Sequence, residues 1–334
     1  MQLHRRTLLS AAAATLASMT VPLAGPAAAG ADPGPEPPVE PGEPIFPRPG
    51  GGTRAIHTLN VDARAYLLDI RTGAYHRLPF LAVTLAPDDR TVAVEDVEGR
   101  IGVARRAALL RDGAAAVRWT TLPPGAVLWS PDGTALLTTT PDRETRRVTA
   151  NRYDLATGRL RQTLVDFDSE GAVGWAADSI RYVVRLPGPD PEVPDGPLRY
   201  VDPDGTPGAL LGTTGHIWDA HAYSPTRRHV IVEPARGYPF PPEPAPWQLP
   251  RILDLRTGTV VAAVPTDWPL LGWHDHRRVV RVAPPAEGLR TVLEVVDVHT
   301  GTVTRRVPAP GLPPYHLQLG SAAHLHGRAA ALGF

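Results

Sequence analysis

Val127-Leu128-Trp129-Ser130-Pro131-Asp132-Gly133-Thr134-Ala135-Leu136-Leu137 is the stretch on which the fold turns. Apolar residues run into a four-residue corner and out again. Pro131 presets its own φ, Asp132 can accept hydrogen bonds from nearby backbone amides, and Gly133 tolerates the left-handed conformation that closes a hairpin. Weaker copies stand at Leu85-Ala86-Pro87-Asp88-Asp89, Trp175-Ala176-Ala177-Asp178-Ser179, Tyr223-Ser224-Pro225-Thr226 and Trp273-His274-Asp275-His276. From Leu85 through Trp129, Trp175 and Tyr223 to Trp273 the steps are 44, 46, 48 and 50 residues, so the corner belongs to a repeat.

A second corner alternates with the first. It reads Asp-x-x-Thr-Gly at Asp69–Gly73, Asp154–Gly158, Asp254–Gly258 and Asp297–Gly301, with a degenerate form at Asp202-Pro203-Asp204-Gly205. Short apolar runs flank each, as in Leu293-Glu294-Val295-Val296 before Asp297. Each unit therefore reads as strand, tight turn, strand, variable loop, strand, tight turn, strand. Four antiparallel strands at this period make one propeller blade. Five self-contained units are expected at 82–122, 127–167, 173–213, 220–265 and 271–308. A sixth is split, with two strands from 315–331 and the remainder from 55–80. The predicted fold is all-β, a six-bladed β-propeller closed by pairing of the N- and C-terminal strands, which leaves no open sheet edge at the junction.

The Trp129-Ser130-Pro131-Asp132-Gly133 run resembles the repeat of TolB-type, WD-repeat-like propellers. The Asp-x-x-Thr-Gly corner falls where such blades turn from third to fourth strand. The resemblance covers roughly residues 55–334 and is strongest in one or two units. It implies a fold that hosts many unrelated functions.

Composition narrows the rest. The 334 residues carry 34 Lys+Arg against 34 Asp+Glu, every cation being Arg. A formal charge of zero gives no general electrostatic case for nucleic acid or an anionic membrane surface. Cysteine is absent, which excludes disulfides, thiolate catalysis and Cys-ligated zinc, and stability must come from packing.

Residues 1–31 read as a signal peptide: His4, Arg5 and Arg6, then an apolar stretch from Leu8 to Leu23, then Ala29-Gly30-Ala31 as a small-residue cleavage site. The stretch is cut by Pro22 and is too short for a stable membrane span. Arg5-Arg6-Thr7-Leu8-Leu9 resembles a twin-arginine signal, although a chain without Lys could show Arg-Arg on the Sec route as well. Residues 32–54 read as a Pro-rich linker, with eight prolines between 32 and 49, and 55–334 as the propeller. The mature chain is expected to be extracytoplasmic, secreted or envelope-associated, monomeric and without a transmembrane segment.

In such blades both tight turns lie on one face, with the variable loops and blade connections on the other. Function is expected on the long loops. The loop Ala235–Leu249 carries Tyr238, Phe240 and Trp247 among prolines, a contact surface for a peptide, glycan or protein, or else a stiff loop packing its own rings. Gly215-His216-Ile217-Trp218-Asp219-Ala220-His221 offers two His and an Asp for acid–base work or a metal. Against that stands the resemblance of Gly215-His216 to the structural Gly-His of WD repeats.

His274 and His276, and His324 and His326, come without a third ligand by sequence. No catalytic set, cofactor site or metal site is assigned. Recurring Trp129, Trp175, Tyr223 and Trp273 read as packing between blades. The first reading is a non-catalytic binding module for a protein or envelope polymer. The alternative is a propeller enzyme (lactonase, lyase or glycan-active) with its site at the central channel.

Overall fold

A computed structural model of the chain describes residues 46–47, 53–61, 64–72, 74–142, 144–145, 147–166, 173–188, 196–217, 219–234, 249–266, 270–283, 292–308 and 317–321. The segment read as a signal peptide lies outside these residues. So do Trp218, Tyr238, Phe240, Trp247, His324 and His326.

The first sheet begins with β1 (Phe46–Pro47), β2 (Thr53–Val61), β3 (Arg64–Asp69) and β4 (Ala74–Leu78). The second holds β5 (Ala82–Leu85), β6 (Thr91–Glu95), β7 (Ile101–Arg105) and β8 (Arg118–Trp119), with helix α1 (Arg106–Asp112) between the last two. The third contains β9 (Leu128–Trp129), β10 (Ala135–Asp142), β11 (Arg147–Asp154) and β12 (Leu160–Val165). The fourth contains β13 (Val173–Trp175), β14 (Tyr182–Arg185), β15 (Pro197–Val201) and β16 (Pro207–Thr214). The fifth has three strands, β17 (His229–Val232), β18 (Arg251–Asp254) and β19 (Thr259–Ala263). The sixth holds β20 (Gly272–Trp273), β21 (Arg278–Ala283), β22 (Val292–Asp297) and β23 (Val303–Pro308). Last comes β24 (Leu317–Ser321), which returns to the first sheet and pairs antiparallel with β2.

The structure is an all-β propeller, but the expectation of six four-stranded blades is corrected to five complete blades. Among the described residues five sheets have four or more strands, and the one built from β17, β18 and β19 lacks an inner strand. The physical reason lies between two isolated bridges, His216↔Glu233 and Tyr223↔Val230. On one side six residues, 217–222, separate the bridges; on the other, only Ile231 and Val232 do. A ladder cannot absorb an excess of four residues as a simple bulge. The surplus coils instead into a 3-10 turn at Ala220–Ala222.

A second correction concerns the junction of the tails. The C-terminal part was expected to give two strands to the shared sheet. Among the described residues it gives β24 alone, paired from Leu59↔Leu317 to Arg54↔Ser321, and β2, β3 and β4 come from the N-terminal part. Within the segment read as linker, Phe46 and Pro47 pair with Arg54 and Thr53.

Strand sequences explain why the core lies between sheets. Along β10, Ala135 and Leu137 pack with the fourth sheet while Leu136 packs with the second. Along β6, Val92 and Val94 face the first sheet while Ala93 faces the third. Successive side chains point to opposite faces, so a strand covered on both sides is apolar without alternation. Among the described residues no helix is long and apolar enough to cross a membrane.

Candidate functional site

The recurring aromatics fix how one sheet leans on the last. Trp129, Trp175 and Trp273 are almost fully buried. Trp129 Nε1 donates to Thr84 Oγ1 at 3.2 Å, Trp175 Nε1 to the Leu128 carbonyl at 3.2 Å, and Trp273 Nε1 to the Ala222 carbonyl at 2.8 Å. The Tyr223 hydroxyl donates to the Trp175 carbonyl. Each ring thus fills the seam while its polar end satisfies a group on the preceding sheet or its turn.

Residues 215–217 and 219–223 follow the fourth sheet and reach towards other sheets. Gly215 has φ +114°, and a Cβ there would lie 2.3 Å from the Glu233 carbonyl, so only glycine fits. His216 N then donates to Glu233 O at 2.8 Å and Glu233 N to His216 O at 2.9 Å. Asp219 caps the 3-10 turn: its Oδ1 accepts from His221 N at 2.7 Å. His221 Nε2 lies 3.0 Å from the carbonyl of Leu85 in the second sheet. A carbonyl only accepts, so Nε2 carries the proton in that contact. Ala220 packs in the cluster of Ala86, Ala93, Ile101, Trp129 and Leu136. The surplus turn therefore reaches the second and third sheets, which are not neighbours of the fifth along the chain. Arg227 Nη2 makes a second such tie, donating to the Pro131 carbonyl at 3.2 Å.

Below the turn, on the tight-turn face, lies a cavity of about 390 Å³ lined by His221 and by first-corner residues, including Asp88, Asp89, Asp132, Ser224 and Arg227. Asp88 and Asp132 are fasteners of their own turns. Asp88 Oδ1 accepts from Arg90 N and Thr91 N at 2.8 Å each, and Oδ2 from Thr91 Oγ1 at 2.8 Å. Asp132 Oδ1 accepts from Ser130 Oγ at 2.6 Å and Thr134 N at 3.0 Å. Burial alone would raise the Asp132 pKa, but the donors of Ser130, Thr134 and Ser179 outweigh it and hold the group below the usual carboxylate range. A carboxylate held ionised in this way is a poor general acid.

Of the predicted site residues the structure describes His216, Asp219 and His221. His221 lines the axial cavity. His216 stays at the Glu233 bridge, where burial, aided by the charge of Arg185, pushes its pKa down to about 3 and leaves the ring neutral near pH 7. His274 is buried with Nδ1 3.3 Å from Asp275 Oδ2, and the same carboxylate holds Arg278 Nε at 2.8 Å. Among the described residues no three His, Asp or Glu side chains group as a metal site.

Two clusters escaped the sequence reading. Glu294 is 3% exposed between Arg281 and Arg306, with contacts of 2.7 Å to each. Arg106, at the start of α1, is buried and donates from Nη2 to the Leu68 carbonyl of the first sheet. The signal for the second was visible: the 82–122 unit alone has Arg105-Arg106-Ala107-Ala108-Leu109-Leu110 where a second corner belongs.

No family model matches the chain, and no curated protein matches it. Solved structures do. TolB from Acinetobacter baumannii is similar at 16% identity with a TM-score of 0.50, over 80% of this chain and 65% of that one. An oligogalacturonate lyase in complex with manganese aligns at 17% identity and a TM-score of 0.49, over 75% and 73% of the two chains. The β-propeller domain of the Trilobed protease from Pyrococcus furiosus, described as having an open velcro topology, aligns at 12% and 0.49, over 77% and 81%. The chain thus spans just under two thirds of the TolB structure, and the likeness at that identity is one of fold: this protein is a β-propeller.

Proposed function

We propose that the protein is an exported, non-catalytic binding propeller that presents its long-loop face to a protein or an envelope polymer. The observation that carries this reading is the surplus turn, whose polar groups are committed to the fold. An enzyme working in the central channel needs uncommitted polar groups there. Here Asp219 is spent on the cap of the turn and His221 donates to Leu85. Contact then falls to the segment between β17 and β18, where the sequence sets Tyr238, Phe240 and Trp247 among prolines. Aromatic rings on a stiff loop offer large contact area at small entropic cost. The leader-like residues 1–31 support an extracytoplasmic location, and the TolB likeness supports the scaffold.

Photo-crosslinking from position 240 in living cells tests the reading. One dominant adduct, protein or envelope polymer, is expected. The combined Tyr238→Ala, Phe240→Ala and Trp247→Ala variant should lose at least about tenfold in affinity for that species, a typical cost of removing aromatic anchors. Its thermal midpoint should be unchanged. Undiminished capture by the triple variant overturns the proposal. Export has its own test: Arg5→Lys with Arg6→Lys should hold the precursor in the cytoplasm if the twin-arginine route is used, and continued export overturns that route.

A further inference from the structure

The one unit that lacks its second corner builds something in its place. Helix α1 follows β7 on the tight-turn face and is tied to two sheets: Arg106 N donates to the Arg90 carbonyl at 2.8 Å, and Arg106 Nη2 reaches the Leu68 carbonyl. Between the helix, the second corner of the first sheet and the first corner of the second sheet lies a cavity of about 460 Å³, within the size range of small-molecule sites. Ile70, Ala107 and Leu110 supply apolar wall, and four arginines, Arg71, Arg90, Arg105 and Arg106, border it.

Charge accounting at this cavity is specific. Arg71 is paired with Asp69 at 3.3 Å, and Arg105 with Asp88 at 3.5 Å. Arg106 is buried within the field of Asp89, Asp69 and Tyr75. Arg90 is exposed, and no ion pair among the described residues holds its guanidinium. Asp89 is thus set against two cations, which leaves a surplus of one positive charge beside an apolar wall. We propose that this seam cavity between the first and second sheets binds a small organic monoanion, a carboxylate on a short apolar body, with Arg90 gripping the carboxylate and Leu110 covering the body. A planar guanidinium matches a carboxylate in a two-point contact, and the wall favours a hydrocarbon body over a bare inorganic ion. The site is independent of the partner proposed for the long loops.

Ligand-observed NMR titration of the full chain with hexanoate tests this, with hexylammonium and inorganic phosphate as comparison probes. Hexanoate should bind saturably, and both comparison probes at least about tenfold more weakly. Arg90→Gln should weaken hexanoate about tenfold, Arg90→Lys should recover only part of the loss because an ammonium makes no two-point contact, and Leu110→Trp should block the cavity. Thermal midpoints of the Arg90 variants should match the parent, since the side chain is exposed. Phosphate binding as tightly as hexanoate, affinity unchanged in Arg90→Gln, or no saturable hexanoate signal each overturns the proposal.

Discussion

Asp254 accepts from the amides of Arg256 and Thr257 at 2.8 and 3.2 Å and from Arg228 Nη2 at 3.0 Å. Burial alone would raise its pKa, yet those donors and the guanidinium charge bring it down to about 2. Asp69, Asp154 and Asp297, at the same repeat position, are also lowered. A folded pKa below the unfolded value of about 4 gives stability that is complete above pH ~4 and is lost as pH falls towards 2. Denaturant midpoints should therefore fall steeply over that window. Asp254→Asn should be less stable than the parent at pH 7 and show a shallower acid limb. His216 adds an earlier loss. Its folded pKa of about 3 lies below the unfolded value of about 6.5, so the unfolded chain binds the extra proton between the two, and stability declines as pH drops through that range. His216→Gln should flatten this part of the curve. Gly133 has φ +73° with room for a methyl group 3.6 Å from Pro87, so Gly133→Ala should cost about 1 kcal/mol from backbone strain alone, read by urea titration. The aspartates and Gly133 were legible because a turn needs them. At the same corner position Asp89, Ser179 and Arg227 take φ of 56°, 60° and 55° without being glycine, and no sequence pattern announces that. Ser179 and Arg227 use their side chains there for ties to the third sheet, Ser179 Oγ accepting from Asp132 N and Arg227 donating to Pro131 O.

Strands were legible wherever two corners bracketed them, because the corner chemistry fixes both ends and the apolar run fills the interval. β9 to β12 fall inside the unit read as 127–167, and β20 to β23 inside 271–308. The inner position of the fifth sheet was not legible. Length alone shows that the Tyr223 unit is long, and only the two bridges reveal that four surplus residues sit before Tyr223. Helix α1 escaped for a related reason: a seven-residue helix has too few turns to show a 3.6-residue period. Two substitutions test the packing of these elements. Ala220→Leu forces three more carbons into the space beside Trp129 and Leu136 and should cost about 1–3 kcal/mol. Trp175→Phe keeps most of the ring but strands the Leu128 carbonyl, and a loss of about 1–2 kcal/mol is expected in chemical denaturation.

For the whole molecule, the chain's end is part of its beginning. Five residue pairs join β24 to β2. At roughly 1 kcal/mol for each ladder hydrogen bond, ending the chain before Leu317 should cost about 5 kcal/mol, much of a domain's total stability. The exposed edge of β2 should then drive association, which light scattering during refolding would detect. That the tails meet could be reasoned from two incomplete units. How the strands divide between them could not, because no corner marks the boundary between β24 and β2. The long-loop aromatics and the Arg90 cavity differ in the same way. Clustered rings in a proline-rich loop stand out in a sequence, whereas Asp69, Arg90 and Leu110 are brought together only by the seam.

Pairing Arg54 with Ser321 also sets the order of events during synthesis. Every residue between the two must leave the ribosome before β2 can find this partner, and contacts this distant in sequence form slowly. Until then the nascent chain carries an unfinished sheet at its leading end, the interval in which a chaperone or a neighbouring nascent chain has access to it.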